Sequence, residues 1–243
     1  MKLSDSVVLI TGASRGLGLA MAREFAREGT RLVLTARGAS ELRAAADELG
    51  ATSEVVALAG NVADPSHAER LVRSGSERFG RIDVLINNAS TIGPSPMPTL
   101  DSYPTEALLD VFRINVVAPL HLSRLVLPGM RSRNIGVIVN VTSDAAVSAY
   151  PGWGGYGASK AALEHASRVL AAELEGTGIR VVVVDPGDMN TAMHRDAEPG
   201  VDLSHLPGPE VPAPAIVALI EGETAAYRRA VAPQLIPLEG GTP

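Results

Sequence analysis

Short apolar runs alternate with amphipathic stretches from one end of the 243-residue chain to the other. The runs are Val7–Ile10, Arg31–Thr35, Glu54–Leu58, Ile82–Ile86, Val137–Val141, Val181–Val184 and Leu235–Leu238. Several are nearly continuous in Val, Ile and Leu, the pattern of strands covered on both faces. Between them, Leu17–Glu28, Glu41–Leu49, His67–Phe79, Thr105–Met130 and Ala158–Glu175 carry helical periodicity. Strand–helix alternation with short links predicts an α/β fold: a parallel, doubly wound, Rossmann-type sheet with helices on both faces. No linker or composition shift precedes residue 186, so residues 1–243 read as one domain. The segment Pro186 to Pro214 departs from the pattern. It holds six prolines and little periodicity, follows a strand end, and reads as a substrate lid over roughly 188–214.

Composition narrows the chemistry. Aromatics are 3% of the chain, so the core must be built from Ala, Val, Leu and Ile. The formal net charge is −6 with both signs dispersed, which argues against nucleic-acid binding. Without cysteine there is no disulfide, thiolate or Cys-ligated zinc, and the five histidines form no ligand cluster, so no protein-held metal is expected. No apolar run approaches the ~18 residues of a membrane span. Nor does Met1-Lys2-Leu3-Ser4-Asp5 read as the start of a signal peptide, so a cytoplasmic protein is expected.

Two sites carry chemistry. The first strand runs into Thr11-Gly12-Ala13-Ser14-Arg15-Gly16-Leu17-Gly18, and a helix follows. Glycines there allow a tight turn and close approach of backbone to a pyrophosphate, which the helix N-terminus attracts. The spacing Gly-x-x-x-Gly-x-Gly is a variant of the common dinucleotide fingerprint. The second strand ends at Thr35-Ala36-Arg37, where an acidic residue would select NAD and an Arg accommodates the 2′-phosphate of NADP. Arg37, with Arg15 as a second cation, therefore points to NADP(H) rather than NAD(H). The competing reading is that both are solvated surface charges.

Tyr156 and Lys160, four residues apart, share one face of a helix, and Ser143 lies thirteen residues before the tyrosine. A phenol ionises near pH 10, and an ammonium beside it favours the phenolate, so the pair reads as a tuned general acid/base. Ser143 could hold a substrate oxygen. Alone, Tyr-x-x-x-Lys equally describes an ordinary helix surface.

Together these residues resemble the short-chain dehydrogenase/reductase family over nearly the whole chain. The likeness is carried by Thr11–Gly18, Asn61-Val62, Asn87-Asn88-Ala89, Asn115, Ser143, Tyr156 with Lys160, and Pro186-Gly187 followed by Thr191. The resemblance implies about seven strands and a tetrad of Asn115, Ser143, Tyr156 and Lys160. Tyr156 would exchange a proton with the carbonyl or alcohol oxygen, and Ser143 would hold that oxygen. Lys160 would lower the phenol pKa and hold the nicotinamide ribose, and Asn115 would bend a helix and hold a water toward Lys160. For the cofactor it implies Gly12, Ser14, Arg15, Gly16, Leu17 and Gly18 at the phosphates, with Asn61 and Val62 flanking adenine. Asn88 and Ala89 would sit at ribose, Asn87 would tie strands, and Pro186, Gly187 and Thr191 would seat the nicotinamide.

This chain has Asn61 where the family often has Asp, and Ser90 where it has Gly. Pro237 interrupts what resembles the last strand, Pro233 to Gly241. Trp153, in Tyr150-Pro151-Gly152-Trp153-Gly154-Gly155, reads as a pocket wall or a packing residue. Asp144 reads as a capping or solvated carboxylate rather than a catalytic one, and His194 as an exposed loop residue, with a substrate-facing role as the alternative. Asp188 suits either the nicotinamide pocket or a turn. The expected activity is NADPH-dependent reduction of a ketone or aldehyde, reversible as alcohol oxidation. The alternatives are a non-catalytic NADP(H) sensor or scaffold, and an NAD(P)-dependent epimerase or dehydratase. A homodimer or homotetramer is expected, through the helices at Thr105–Met130 and Ala158–Glu175.

Overall fold

The computed structural model describes residues 2–232. Seven strands form one parallel sheet: β1 (Val7–Thr11), β2 (Arg31–Ala36), β3 (Val55–Ala59), β4 (Val84–Asn87), β5 (Gly136–Val141), β6 (Ile179–Asp185) and β7 (Tyr227–Val231). Their spatial order is β3-β2-β1-β4-β5-β6-β7, and every neighbouring pair is parallel. The order reverses between β1 and β4, which opens a crevice at the carboxyl ends of those strands.

The helices are α1 (Gly16–Arg27), α2 (Ala39–Leu49), α3 (Pro65–Phe79), α4 (Thr105–Phe112), α5 (Ala118–Arg133), α6 (Gly154–Glu173), α7 (Ala192–Ala197) and α8 (Ala213–Gly222). Successive side chains of the central strands point to opposite faces. Val8, Ile10, Leu32, Leu34, Val182 and Val184 pack under α1, α2 and α8. Val7, Leu9, Val33, Leu85, Ile138 and Val181 pack under α3, α5 and α6. Both faces are covered, so the central runs carry no polar alternation.

One predicted element is corrected and one strand is added. The amphipathic stretch Thr105–Met130 is not one α-helix. A wide π-type turn, Arg113–Val117, separates α4 from α5. Pro119 has no N–H to give the carbonyl of Asn115 four residues earlier, so the regular ladder fails there. A strand absent from the sequence reading, Tyr227–Val231, is the seventh of the described sheet; the predicted run Leu235–Leu238 lies outside the described residues together with Pro237, Gly240 and Gly241. Arg228 and Arg229 hid β7 from an apolar-run reading. Arg228 is exposed, while Arg229 turns inward to the buried carboxylate of Glu164, Nε to Oε1 at 3.1 Å.

The predicted lid also gains structure. It contains α7 and the start of α8, and it is pinned by Asn190 N donating to Pro207 O at 2.8 Å. Among the described residues no helix is long and apolar enough to cross a membrane.

Candidate active site

The glycine-rich turn is locked to the end of β4. Thr11 Oγ1 accepts from the backbone N–H groups of Asn88 and Ala89, both at 3.0 Å. Asn88 Nδ2 donates to Thr11 O at 2.9 Å and Gly12 O at 3.3 Å. The Asn88 side chain thus shapes the loop, a role that the expected ribose contact did not include. Gly12 has φ +67°, and a Cβ there would lie 2.9 Å from Asn88 Nδ2. A Cβ on Gly18 would run into the Gly12 carbonyl. Gly18 therefore serves close packing of α1 on the loop. Arg15, at the N-cap of α1, makes no side-chain cap, so the first N–H groups of that helix remain available to an anion.

A cleft of about 1120 Å³ runs from this turn across the sheet edge. Gly12, Ser14, Arg15, Gly16 and Leu17 line it at the loop, Arg37 at the end of β2, and Asn61 and Val62 beyond β3. Asn88 and Ala89 form its middle, and Tyr156, Lys160, Pro186 and Thr191 the far end. Gly18 and Gly187 do not line it; Gly187 lines an adjoining pocket. Asn61 Oδ1 accepts from Ala63 N at 3.0 Å, a local turn that uses one of its lone pairs. Size, bare helix N-terminus and glycine crowding together fit a dinucleotide. Glu41 also lines the Arg15–Arg37 end. Its own backbone N–H, the Ser40 hydroxyl and the Arg15 charge hold its carboxyl below the ordinary carboxylate range.

At the opposite end α6 presents Tyr156 and Lys160, both buried. Lys160 Nζ donates to Val141 O at 2.8 Å and lies 5.4 Å from the centre of the Tyr156 ring. Burial pulls the ammonium down to about 8. The expected lowering of the phenol pKa is not what the protein's own groups produce. Burial pushes Tyr156 well above the usual tyrosine range, and the Asp185 and Asp144 charges add to this. Hydrogen bonding with Ser143 and Ser90 opposes it only in part. Tyr156 is therefore a protonated acid at neutral pH.

Ser143 caps the short turn after β5 and lines the adjoining pocket, of about 100 Å³, with Tyr156, Asp144, Trp153, Asp188 and His194. Asn115 lines neither cavity and sits behind them. Its Oδ1 accepts from Ser90 Oγ at 3.1 Å and Thr91 N at 2.9 Å, and its Nδ2 donates to Thr91 O at 2.8 Å and Ser159 Oγ at 3.0 Å. It ties the loop after β4 to α6. Ser90, the departure from glycine, thereby gains a partner. Asn87 ties strands as expected, Nδ2 to Asn140 Oδ1 at 2.8 Å.

Trp153 packs edge-on against Tyr156, ring centres 5.7 Å apart, and against His194 at 6.4 Å. His194 is therefore packed at the pocket rather than exposed, with its Nδ1 3.2 Å from Met189 O. Met193 joins the same apolar cluster.

A buried polar group behind the tetrad escaped sequence reasoning. Glu164 accepts from Thr142 Oγ1 at 2.8 Å and from Arg229 Nε at 3.1 Å. Arg229 Nη2 also lies 3.8 Å from Asp185, whose Oδ1 accepts from Gly187 N at 3.0 Å. Glu164 is one turn after Lys160, so its face was legible; Arg229 comes from the unrecognised β7. Among the described residues no group of three His, Asp or Glu could hold a metal.

The profile of the short chain dehydrogenase family matches residues 6–202. The chain belongs to this family. It is 36% identical over 199 residues to 1-deoxy-11-beta-hydroxypentalenate dehydrogenase of Streptomyces avermitilis, covering 80% of this chain and 73% of the relative. A short chain dehydrogenase from Pseudomonas syringae superposes with TM-score 0.89 at 32% identity, over 95% of this chain and 96% of the other. Family members of known structure hold either nucleotide. NAD+ is bound in a xylitol dehydrogenase (25% identity, TM-score 0.83, covering 95% and 98%). NADP is bound in a metagenomic short-chain oxidoreductase (28%, 0.78, covering 94% and 99%). The protein is thus an oxidoreductase of the short-chain dehydrogenase type, acting between a hydroxyl and a carbonyl.

Proposed function

We propose that the protein is an NADPH-dependent reductase of small ketones or aldehydes, reversible as an alcohol dehydrogenase, with Tyr156 as general acid/base. The observation that carries this reading is the meeting of the two cavities at Tyr156, which lines both. A bound nicotinamide would supply the hydride. The long cleft would orient it, the small pocket would hold the carbonyl, and Trp153 and the lid would exclude water. Tyr156 gives its proton to the oxygen, and its raised pKa keeps that proton in place at neutral pH, which favours reduction; higher pH favours oxidation. Lys160, buried beside the ring, holds the ribose and stabilises the phenolate left behind. Pro186, Gly187 and Thr191 seat the nicotinamide, and residues 188–214 act as the lid. A sensor would have no use for this acid, and a transient-oxidation epimerase would turn over without net NADPH use.

NADP(H) is preferred because Arg15 and Arg37 bring two guanidinium groups to one end of the cleft against the single carboxylate of Glu41. Arg37→Ala is expected to weaken NADPH binding about 10- to 100-fold, since hydrogen bonds to charged groups contribute about 1.5–3 kcal/mol. NADH binding should change less than about twofold. Calorimetric titration with both nucleotides checks this; equal losses would mean that Arg37 does not meet a 2′-phosphate. A ketone panel assayed for NADPH consumption tests the reaction itself.

The protein is further expected to be cytoplasmic and to assemble as a homodimer or homotetramer. Leu109 on α4, Val117 in the π-type turn and Val169 on α6 are exposed. They lie along the stretches expected to pair. Light scattering should give at least twice the 25.2 kDa chain mass; a monomer would contradict this.

A further inference from the structure

The register of the sheet brings Arg229 of β7 to the back of the reactive centre. It pairs with Val183, two residues before Asp185, so Arg229, Val183 and Asp185 face the same side of the sheet. Glu164 of α6 meets them there. Arg229 Nε donates to both carboxylate oxygens of Glu164 at 3.1 Å. That contact orients the planar guanidinium and places Nη2 3.8 Å from Asp185 Oδ2.

Asp185 closes a turn. Its Oδ1 accepts from Gly187 N at 3.0 Å, across Pro186. Gly187 has φ +75°, in the left-handed region, and the bond to Asp185 holds the turn in that shape. Pro186 lines both cavities, while Asp185 and Gly187 line the smaller one with Tyr156. Burial pushes the Asp185 carboxyl up, and the Asp144 and Asp188 charges add to this; the Gly187 N–H and the Arg229 charge oppose it.

The two carboxylates that Arg229 meets are not equally supplied. Glu164 also has Thr142 Oγ1 at 2.8 Å and Arg168 at 3.6 Å. Asp185 has Arg229 as its ion-pair partner. Removing the guanidinium leaves Asp185 as a buried charge that must take a proton or move. Either change loosens the bond to Gly187, because a neutral carboxyl is the weaker acceptor.

We infer that Arg229 is a positioning residue that acts through Asp185, holding the Asp185-Pro186-Gly187 turn in the shape that seats the nicotinamide. The inference rests on the reading of Pro186, Gly187 and Thr191 as that seat. It gives β7, which lines neither cavity, a part in the reaction.

Calorimetric titration compares NADPH with 2′,5′-ADP, a probe that has the adenine end and no nicotinamide. In Arg229→Met the Kd of NADPH should rise about tenfold, the scale of one charge-assisted hydrogen bond, while that of 2′,5′-ADP changes less than about twofold. Asp185→Asn keeps an oxygen for Gly187 N and has no charge to balance. The Arg229→Met/Asp185→Asn double variant should therefore recover most of the lost NADPH affinity. Asp185→Ala removes the acceptor for Gly187 and leaves Arg229 its bond to Glu164, so it should show the same NADPH-only loss even if Arg229→Met folds poorly.

Equal losses for NADPH and 2′,5′-ADP in the single variants overturn the inference, because a general weakening of the fold does not select one end of the nucleotide. So does unchanged NADPH affinity, or a double variant that binds no better than Arg229→Met. Each of these results leaves the oxidoreductase reading intact. If NADH binds in place of NADPH, the comparison runs with NADH and AMP, and the same outcomes decide it. A protein that binds neither dinucleotide would remove that reading, and the inference with it.

Discussion

Replacing Tyr156 by Phe lowers kcat for ketone reduction by about 10²- to 10⁴-fold, the range that a positioned general acid contributes. Nucleotide affinity changes less than about twofold, because the ring and its contacts remain. The hydroxyl is the only atom lost, and the buried ring keeps its edge contact with Trp153. Trp153 is the sole tryptophan, 5.7 Å from the Tyr156 ring, so its fluorescence reports nucleotide and substrate binding in both proteins. Steady-state rates beside that titration separate acid catalysis from binding. Turnover near the unmodified rate would mean that another group protonates the oxygen.

The second large effect concerns Lys160, where stability and activity part company. Burial brings its pKa from 10.5 to about 8. Between these values the unfolded chain holds a proton that the folded chain has released, so stability rises with pH across that window. Below it the folded protein carries a buried charge, at a cost of about 3 kcal/mol from the size of the displacement. Lys160→Met removes the charge and retains most of the volume, but it also removes the bond to Val141 O. Near neutral pH the variant should be more stable by about 1–3 kcal/mol in urea unfolding, an advantage that shrinks toward pH 10. Turnover should nevertheless fall by about 100-fold or more, as the ammonium no longer stabilises the phenolate. A variant less stable at both pH values would show that the charge is not a burden.

Much of this was legible in the chain because both-face burial writes itself as continuous Val, Ile and Leu. Strands β1, β2, β5 and β6 and the i, i+4 pair of α6 are direct readings of that kind. β7 was missed because Arg228 faces solvent and Arg229 meets Glu164, a partner 65 positions earlier. The π-type turn required weighing one absent donor, at Pro119, against an otherwise good helical pattern. The direction of the Tyr156 pKa was misread for a different reason. The sequence shows a lysine four residues away, but not that both groups are buried or that Asp144 and Asp185 face the phenol. Desolvation is a property of packing, and no spacing encodes it.

The proposed cofactor is a phosphorylated dinucleotide lying in the long cleft with its 2′-phosphate between Arg15 and Arg37. A thermal-shift titration with NADPH and NADH side by side tests this most directly, because a ligand that binds only the folded state stabilises it by about 2.7 kcal/mol at a hundredfold excess over Kd. A clear rise in Tm with NADPH, and a much smaller one with NADH at equal concentration, is the predicted result. A larger shift with NADH, or none with either, would contradict it.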